Sequence, residues 1–187
     1  MQVDMLDART VSEADARAIA ELLFRTWPKP GKPVEYRQRQ MLEMGHDYRG
    51  SDEQAPRSFL LREGGRVIAH AAIITRTIGT TQGELTIAGL ARVCTDPDLR
   101  GRGLGALVVR PVFALVDEGV FPFSLFQTTP EVRPFYDKLG ATTVENPIVN
   151  SLAEDKTASP FWDTVIMRYP DGPGWPEGEI DLRGPGY

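Results

Sequence analysis

Cysteine, histidine and excess positive charge are all scarce in this sequence of 187 residues. Its single cysteine, Cys94, cannot form an internal disulfide, so nothing in the chain requires an oxidising compartment. One cysteine and two histidines without metal-ligand spacing predict that no metal is bound. The formal charge is −5 at pH 7, from 21 basic and 26 acidic side chains, and this balance argues against a nucleic-acid partner.

Long hydrophobic runs are lacking as well. Arg110 splits the longest candidate for a membrane span, and the acidic residues 1–10 contain no apolar stretch of the kind found in a signal peptide. Apolar residues make up 41% of the chain and charged residues 25%, a composition typical of globular proteins. We therefore expect one cytoplasmic domain spanning residues 1–187, without a membrane partner.

Apolar side chains with helical spacing occur in four segments of the chain. Thr10 and Glu13 have the spacing of a capping box at the start of the first helix, and Gly45 is the expected stop of the second. The expected helices cover about residues 11–26, 34–44, 103–118 and 132–139.

Segments rich in apolar and β-branched residues indicate strands. Glu63, Gly64 and Gly65 separate the first two strands and predict a hairpin, and His70 in the second strand is expected to be a structural histidine. The expected strands cover residues 58–62, 66–78, 84–95, 123–128 and 161–169. Two helices, a meander of strands and then alternating strands and helices predict a mixed α/β domain.

The segment after the third strand has the features of a phosphate-binding turn. It joins the end of a strand at Thr95 to the start of a helix, and its glycines would let an anion approach the main chain closely. The first amides of the helix would attract a phosphate, and two arginines add charge and forked donors. The candidate residues are Arg100, Gly101, Arg102, Gly103, Leu104 and Gly105. A P-loop is excluded because Gly-Lys-Ser/Thr is missing, and a Rossmann turn because the spacing is G-x-G-x-G.

Two ordered motifs resemble those of the GNAT N-acetyltransferase superfamily. Arg100, Gly103 and Gly105 fit the R/Q-x-x-G-x-G/A pattern of its coenzyme A pyrophosphate turn, and PFYDKLG at 134–140 is similar to its F-Y-x-K-L-G-F segment. The order and separation of the motifs also fit, and the chain is identified as a member of this superfamily. The resemblance implies a central, mostly antiparallel, V-splayed sheet flanked by helices, and acetyl-CoA as co-substrate.

The same resemblance implies roles for individual residues. Tyr136 matches the family's general acid, and a phenol with a pKa of ~10 can return a proton to a thiolate whose thiol has a pKa of ~8.5. Tyr136 also lies on an apolar helix face, so a purely structural tyrosine is the alternative. The backbone of Val93 and Thr95 would pair with the pantetheine arm. Thr129, where the family often has asparagine, would hydrogen-bond the coenzyme.

Short matches indicate the class of acceptor. VIAHAAIITR at 67–76 and IDLRGPGY at 180–187 resemble segments of the aminoglycoside 2′-N-acetyltransferases, and WPEG at 175–178 is similar to the end of nodulation-type N-acyltransferases. We therefore expect transfer of an acetyl group to the primary amine of a small molecule. A catalytically silent acyl-CoA-binding module and transfer of a longer acyl chain are the alternatives. A homodimer, common in the superfamily, is an open alternative to a monomer.

The base that accepts the amine proton is not identified by the sequence. An alkyl amine with a pKa of ~10.4 lies about 4.6 kcal/mol from its neutral form at pH 7. Ala91 occupies the position of the glutamate of the aminoglycoside enzymes, so the candidates are the Tyr187 carboxylate, Glu84 and ordered water. Apolar residues in the Pro/Gly-rich tail, residues 170–187, predict that it docks on the domain, which would let Tyr187 enter the acceptor cleft.

Overall fold

The computed structural model describes every residue from Met1 to Tyr187. The chain forms two compact units. The first unit contains residues 1–74 and 91–112, and the second contains residues 75–90 and 113–187. Two long strands and one helix contribute residues to both units.

The first unit combines an antiparallel sheet with two whole helices. Its elements are β1 (Asp4–Asp7), α1 (Glu13–Thr26), α2 (Val34–Glu43), β2 (Arg57–Glu63) and parts of β3 (Arg66–Thr80), β4 (Gly83–Thr95) and α3 (Leu104–Asp117). β1 pairs antiparallel with β2, and β2 pairs antiparallel with β3, whose other neighbour is β4. α1 buries Ile19 and Leu22 in a cluster with Met41 of α2 and Cys94 of β4. Each large aliphatic side chain in such a cluster contributes about 1.5–3 kcal/mol.

The second unit is a mixed sheet with one short helix. Its whole elements are β5 (Ser124–Thr128), α4 (Arg133–Asp137), β6 (Thr142–Thr143), β7 (Ile148–Val149), β8 (Val165–Tyr169) and β9 (Ile180–Asp181). β5 pairs parallel with β4, through Ala88 opposite Ser124, and antiparallel with β8, which also pairs with β6. β9 pairs parallel with β7 and antiparallel with β3, and Ile180 and Leu182 are fully buried. The tail is therefore part of the sheet and core of this unit.

Most strand pairs are antiparallel, and the mixed α/β architecture predicted from the sequence is confirmed. The β2–β3 hairpin turns through Gly64 and Gly65, whose φ angles of +56° and +79° suit a tight two-residue turn. None of the four helices has both the length and the apolar composition that crossing a membrane requires.

Two expectations about local structure are wrong, and a third holds for a different physical reason. The cap of α1 is Ser12 and not Thr10, since the Ser12 hydroxyl accepts from the Asp15 amide at 3.1 Å. α2 ends at Glu43 with Met44 as its cap, so Gly45 follows the helix end as expected, but its φ is not positive and a Cβ at Gly45 would lie 2.6 Å from the Ala8 carbonyl carbon. This glycine serves a close approach of two main chains. The last long strand begins at Val165, and residues 161–164 precede it.

Candidate functional site

A buried carboxylate fixes the segment that leads from β4 to the glycine-rich turn. Asp96 is 1% exposed, and its amide donates to the Ile68 carbonyl at 2.8 Å. Its Oδ1 accepts from the Asp98 amide at 3.2 Å and caps the short 3-10 helix that follows. Its Oδ2 lies 3.2 Å from guanidinium nitrogens of both Arg25 and Arg66. One carboxylate therefore anchors this segment to α1 and β3.

The turn after this anchor exposes its main chain. Four consecutive residues are exposed: Arg100, Gly101, Arg102 and Gly103. The φ angles of Gly101 and Gly103 are +79° and +77°, and no atom lies within 4 Å of the position that a Cβ would take at either residue. Glycine adopts this conformation without steric cost, and the open space leaves room for a ligand against the main chain.

The start of α3 supplies donors to the same turn. The first helical hydrogen bond is donated by the Ala106 amide to the Gly103 carbonyl at 3.1 Å, so the amides of Leu104 and Gly105 precede the bonded part of the helix. Leu104 is buried and Gly105 is half-buried. The turn is suited to a phosphate group for three reasons: it has free amides, it lies at the positive end of a helix dipole, and its arginines, Arg100 and Arg102, form no ion pair.

β4 carries one residue with left-handed backbone. Arg92 has a φ of +51°, and its carbonyl oxygen accepts from Nδ1 of His70 at 3.0 Å. Nε2 of His70 lies 3.0 Å from the Ser58 hydroxyl, so both ring nitrogens have a partner. Burial lowers the pKa of His70 to about 4 and keeps the ring neutral. The prediction of a structural histidine is confirmed.

The end of β4 presents the residues expected to contact the pantetheine arm. Val93 and Thr95 are half-buried, whereas Cys94 between them is 5% exposed and belongs to the hydrophobic cluster of the first unit. Burial raises the pKa of the Cys94 thiol to about 12, so the thiol stays protonated. Cys94 therefore packs as a small apolar residue, as predicted, and the contacts of Val93 and Thr95 with coenzyme stay predictions.

Tyr136 lies in the second unit on α4 and is 5% exposed. Its ring centroid is 4.6 Å from that of Phe126 on β5 and 4.8 Å from that of Phe135. Val132, expected on the same apolar face, is instead 44% exposed. Tyr136 is thus positioned by aromatic neighbours, a placement compatible with a structural role and with proton donation.

Thr129 follows β5 and organises the start of the α4 segment. Its carbonyl oxygen accepts from the amides of Val132 and Arg133 at 3.1 and 2.9 Å. Its hydroxyl donates to the Glu131 carboxylate, which lowers the pKa of that carboxyl. The hydroxyl that was expected to contact coenzyme is therefore engaged within its own turn.

The tail brings Tyr187 against β5. The Tyr187 phenol donates to the Leu125 carbonyl at 3.0 Å, and Nε2 of Gln127 donates to the main-chain oxygen of Tyr187 at 2.9 Å. The Arg76 guanidinium lies 5.6 Å from the centroid of the Tyr187 ring. Burial raises the pKa of the phenol, which keeps it protonated.

Two of the positions considered for the base are poorly suited to it. Glu84 Oε1 accepts from Nη1 of Arg183 at 2.6 Å, so this carboxylate is already paired with a guanidinium. Ala91 is 3% exposed and carries no titratable group. No group of three or more His, Cys, Asp or Glu side chains anywhere in the chain is placed to hold a metal ion.

Sequence reasoning missed two arginines of the first unit. Arg37 is 7% exposed and shares the buried face of α2 with Met41. A cation four residues before a core methionine was the signal for Arg37. Nothing in the sequence marks Arg92, because its position depends on a backbone conformation that arginine rarely adopts.

Solved structures with related folds are numerous. A GNAT-family N-acetyltransferase from Escherichia coli in complex with CoA is 13% identical with a TM-score of 0.63, over 97% of this chain and 88% of that chain. Glucosamine-6-phosphate N-acetyltransferase from Arabidopsis thaliana is 15% identical with a TM-score of 0.58, over 78% and 95% of the two chains. A GCN5-related N-acetyltransferase from Kribbella flavida is 24% identical with a TM-score of 0.57, over 76% of this chain. These similarities show the fold.

The relatives differ in length from this chain. It spans 33% of the Kribbella flavida protein and 33% of a probable N-acyltransferase from Enterococcus faecalis. No curated protein matches the chain. Residues 7–144, more than half of the chain, match the family model described as the acetyltransferase (GNAT) domain. The chain therefore belongs to the GNAT acetyltransferase family, and its mixed sheet with flanking helices is the GNAT fold.

Proposed function

We propose that the protein is an acetyl-CoA-dependent N-acetyltransferase that transfers an acetyl group directly to the primary amine of a small molecule. The observation that carries the proposal is the turn at residues 100–105, where exposed main chain at the start of a helix lies beside Arg100 and Arg102. This arrangement suits the diphosphate of coenzyme A, and membership of the GNAT family makes an acyl-CoA the expected ligand.

In the proposed reaction the neutral amine attacks the thioester carbonyl carbon. A C–N bond forms, the C–S bond breaks, and the departing thiolate takes the phenol proton of Tyr136. Packing against Phe126 and Phe135 fixes the position of the Tyr136 ring that carries this proton. The reference pKa values of ~10 and ~8.5 make that transfer cost about 2 kcal/mol.

The nitrogen loses one proton during the same reaction. Glu84 is already paired with Arg183, and the Gln127 amide donates to the main-chain oxygen of Tyr187, so both candidate carboxylates have partners. We assign the proton to water. The phenolate left on Tyr136 is reprotonated from solvent, so one amide and one free thiol are produced for each thioester and amine.

Two measurements test this proposal. Calorimetry with coenzyme A measures binding, and mass spectrometry after incubation with acetyl-CoA and aminoglycosides, polyamines, arylamines and peptides measures transfer. Tyr136→Phe is expected to lower kcat by about 10²- to 10⁴-fold while the Kd for coenzyme A stays within about twofold. Tyr169→Phe is the matched control, because its hydroxyl donates to Asp117 at 2.8 Å in a surface contact. Equal kcat values for the two variants would contradict the role of Tyr136.

A catalytically silent acyl-CoA-binding module is the second candidate. It is favoured by the buried Ala91 on β4 and by the engaged hydroxyl of Thr129, which leave those positions without a base or a free donor. Thermal stabilisation by coenzyme A without turnover of any amine would support it. A comparison of acetyl-CoA with longer acyl thioesters separates acetyl transfer from transfer of a longer chain. The aminoglycosides stay in the panel because of the segments at 67–76 and 180–187.

A further inference from the structure

Two guanidinium groups of the first unit, those of Arg37 and Arg92, form no ion pair with a carboxylate. Arg37 is 7% exposed; its Nη2 donates to the Trp27 carbonyl at 2.5 Å, and its buried Nε has no acceptor. Nη1 of the half-buried Arg92 donates to the thioether sulfur of Met44 at 2.9 Å, and sulfur is a weak acceptor. A buried polar atom without a partner in a native fold requires an explanation, and a missing ligand is one of the few.

The electrostatics of this pair are unfavourable as the chain stands. Burial lowers the pKa of both Arg37 and Arg92, and the charge of Arg37 lowers the pKa of Arg92 further. No aspartate or glutamate raises the pKa of either arginine again. The Tyr36 phenol, on a 38% exposed side chain, raises the pKa of both, and the Cys94 thiol raises that of Arg37. The chain carries 26 acidic side chains, and Arg25, Arg62 and other arginines of the same unit do form ion pairs. The buried Arg37 and the half-buried Arg92 are therefore cations that repel each other without a carboxylate counter-ion.

The position of Arg92 is held by a specific contact. Its left-handed φ of +51° is a conformation that L-residues rarely adopt. The His70 ring, fully buried and hydrogen-bonded to Ser58 on its other side, donates to the Arg92 carbonyl and stabilises that conformation. Strained residues that the surroundings hold in place are concentrated at ligand-binding sites.

We propose that Arg37 and Arg92 bind an oxyanion of the acceptor, a carboxylate or a phosphate, so that the acceptor is an amine that also carries a negative charge. The inference rests on the proposed N-acetyltransferase function and narrows its acceptor class away from purely cationic amines. An oxyanion would supply the missing acceptors and neutralise the mutual repulsion, and the forked donors of arginine fit carboxylates and phosphates. The glycine-rich turn has its own arginines for the coenzyme diphosphate.

The experiment compares paired acceptors that differ only in the anion. An amino acid is paired with its amide, and an amino sugar 6-phosphate with the unphosphorylated amino sugar. Arg92→Gln is expected to raise KM for the anionic member by about 10- to 100-fold and KM for the neutral member by less than about twofold. Arg92→Lys, which keeps the charge and loses the fork, should give an intermediate loss. Arg39→Gln is the matched control for the loss of one charge, because Arg39 is an exposed arginine on α2, the helix that carries Arg37.

The failures of the inference and of the proposed function are distinguishable. Neutral amines that are acetylated as well as anionic ones, or equal effects of Arg92→Gln and Arg39→Gln, overturn the inference and leave the proposed function standing. A loss of coenzyme A affinity in Arg92→Gln with acceptor KM unchanged also overturns it, because the arginines would then serve the coenzyme. If no amine is acetylated, the effect of inorganic phosphate and of benzoate on Tm is measured directly. A rise in Tm for the wild type and Arg39→Gln, but not for Arg92→Gln, supports the anion site. Equal stabilisation of all three refutes it.

Discussion

Gly103 provides the sharpest test of the phosphate-binding turn. Its φ is +77° and the position of a Cβ is open, so an alanine fits the free protein and costs only backbone strain of about 1–2 kcal/mol. For a chain of this size that strain lowers Tm by roughly 2–8 °C. In the complex the added methyl group would occupy space that the proposed diphosphate uses. Loss of one charge-assisted hydrogen bond then weakens coenzyme A binding by about 10- to 100-fold.

Gly119 is the matched control for this substitution. Its φ is +78°, and no atom lies within 4 Å of the position of its Cβ. Gly119→Ala should therefore lower Tm as much as Gly103→Ala does, without changing coenzyme A affinity in isothermal titration calorimetry. An unchanged affinity in Gly103→Ala, or the same loss of affinity in both variants, would refute the assignment of the turn.

Two further predictions concern stability. Burial lowers the pKa of His70 from 6.5 to about 4. Its contribution to the free energy of unfolding, on the order of 3 kcal/mol, is therefore fully present above pH 6.5 and is lost as the pH falls towards 4. His70→Gln should abolish this part of the pH dependence in urea unfolding. Asp96→Asn leaves Arg25 and Arg66 without their shared carboxylate, and it should lower the free energy of unfolding by about 3 kcal/mol in the same assay. Asp98 is exposed, so Asp98→Asn should have little effect. A pH-independent stability of the wild type, or equal effects of the two asparagine variants, would contradict these assignments.

Long elements of the fold were predictable because their side-chain periods are strong. β3 and β4 are long apolar runs, and α1 and α3 repeat apolar residues at helical spacing, so both kinds of element are visible without tertiary information. β6, β7 and β9 have two residues each and were missed. They exist only through hydrogen bonds to segments far away in the chain, such as Ile148 opposite Ile180, which no local pattern encodes.

The candidate site divides in the same way. The turn residues Gly101 and Gly103 could be identified because positions with positive φ are usually occupied by glycine, which is visible in the sequence. The structural role of His70, whose two ring nitrogens each have a hydrogen-bond partner, could be predicted from its apolar neighbours in the strand. The burial of Arg37 and the unusual φ of Arg92 could not be predicted, because both depend on which distant groups supply, or fail to supply, a partner.

The chemistry of the one thiol has a practical consequence for spectroscopy. Cys94 is enclosed and protonated at neutral pH, so maleimide reagents will leave it unmodified in the folded protein. A cysteine introduced at an exposed position, such as Leu152→Cys, then accepts a single fluorophore or spin label in an otherwise native background. Distances and motions can be followed during coenzyme titration without first removing a core residue.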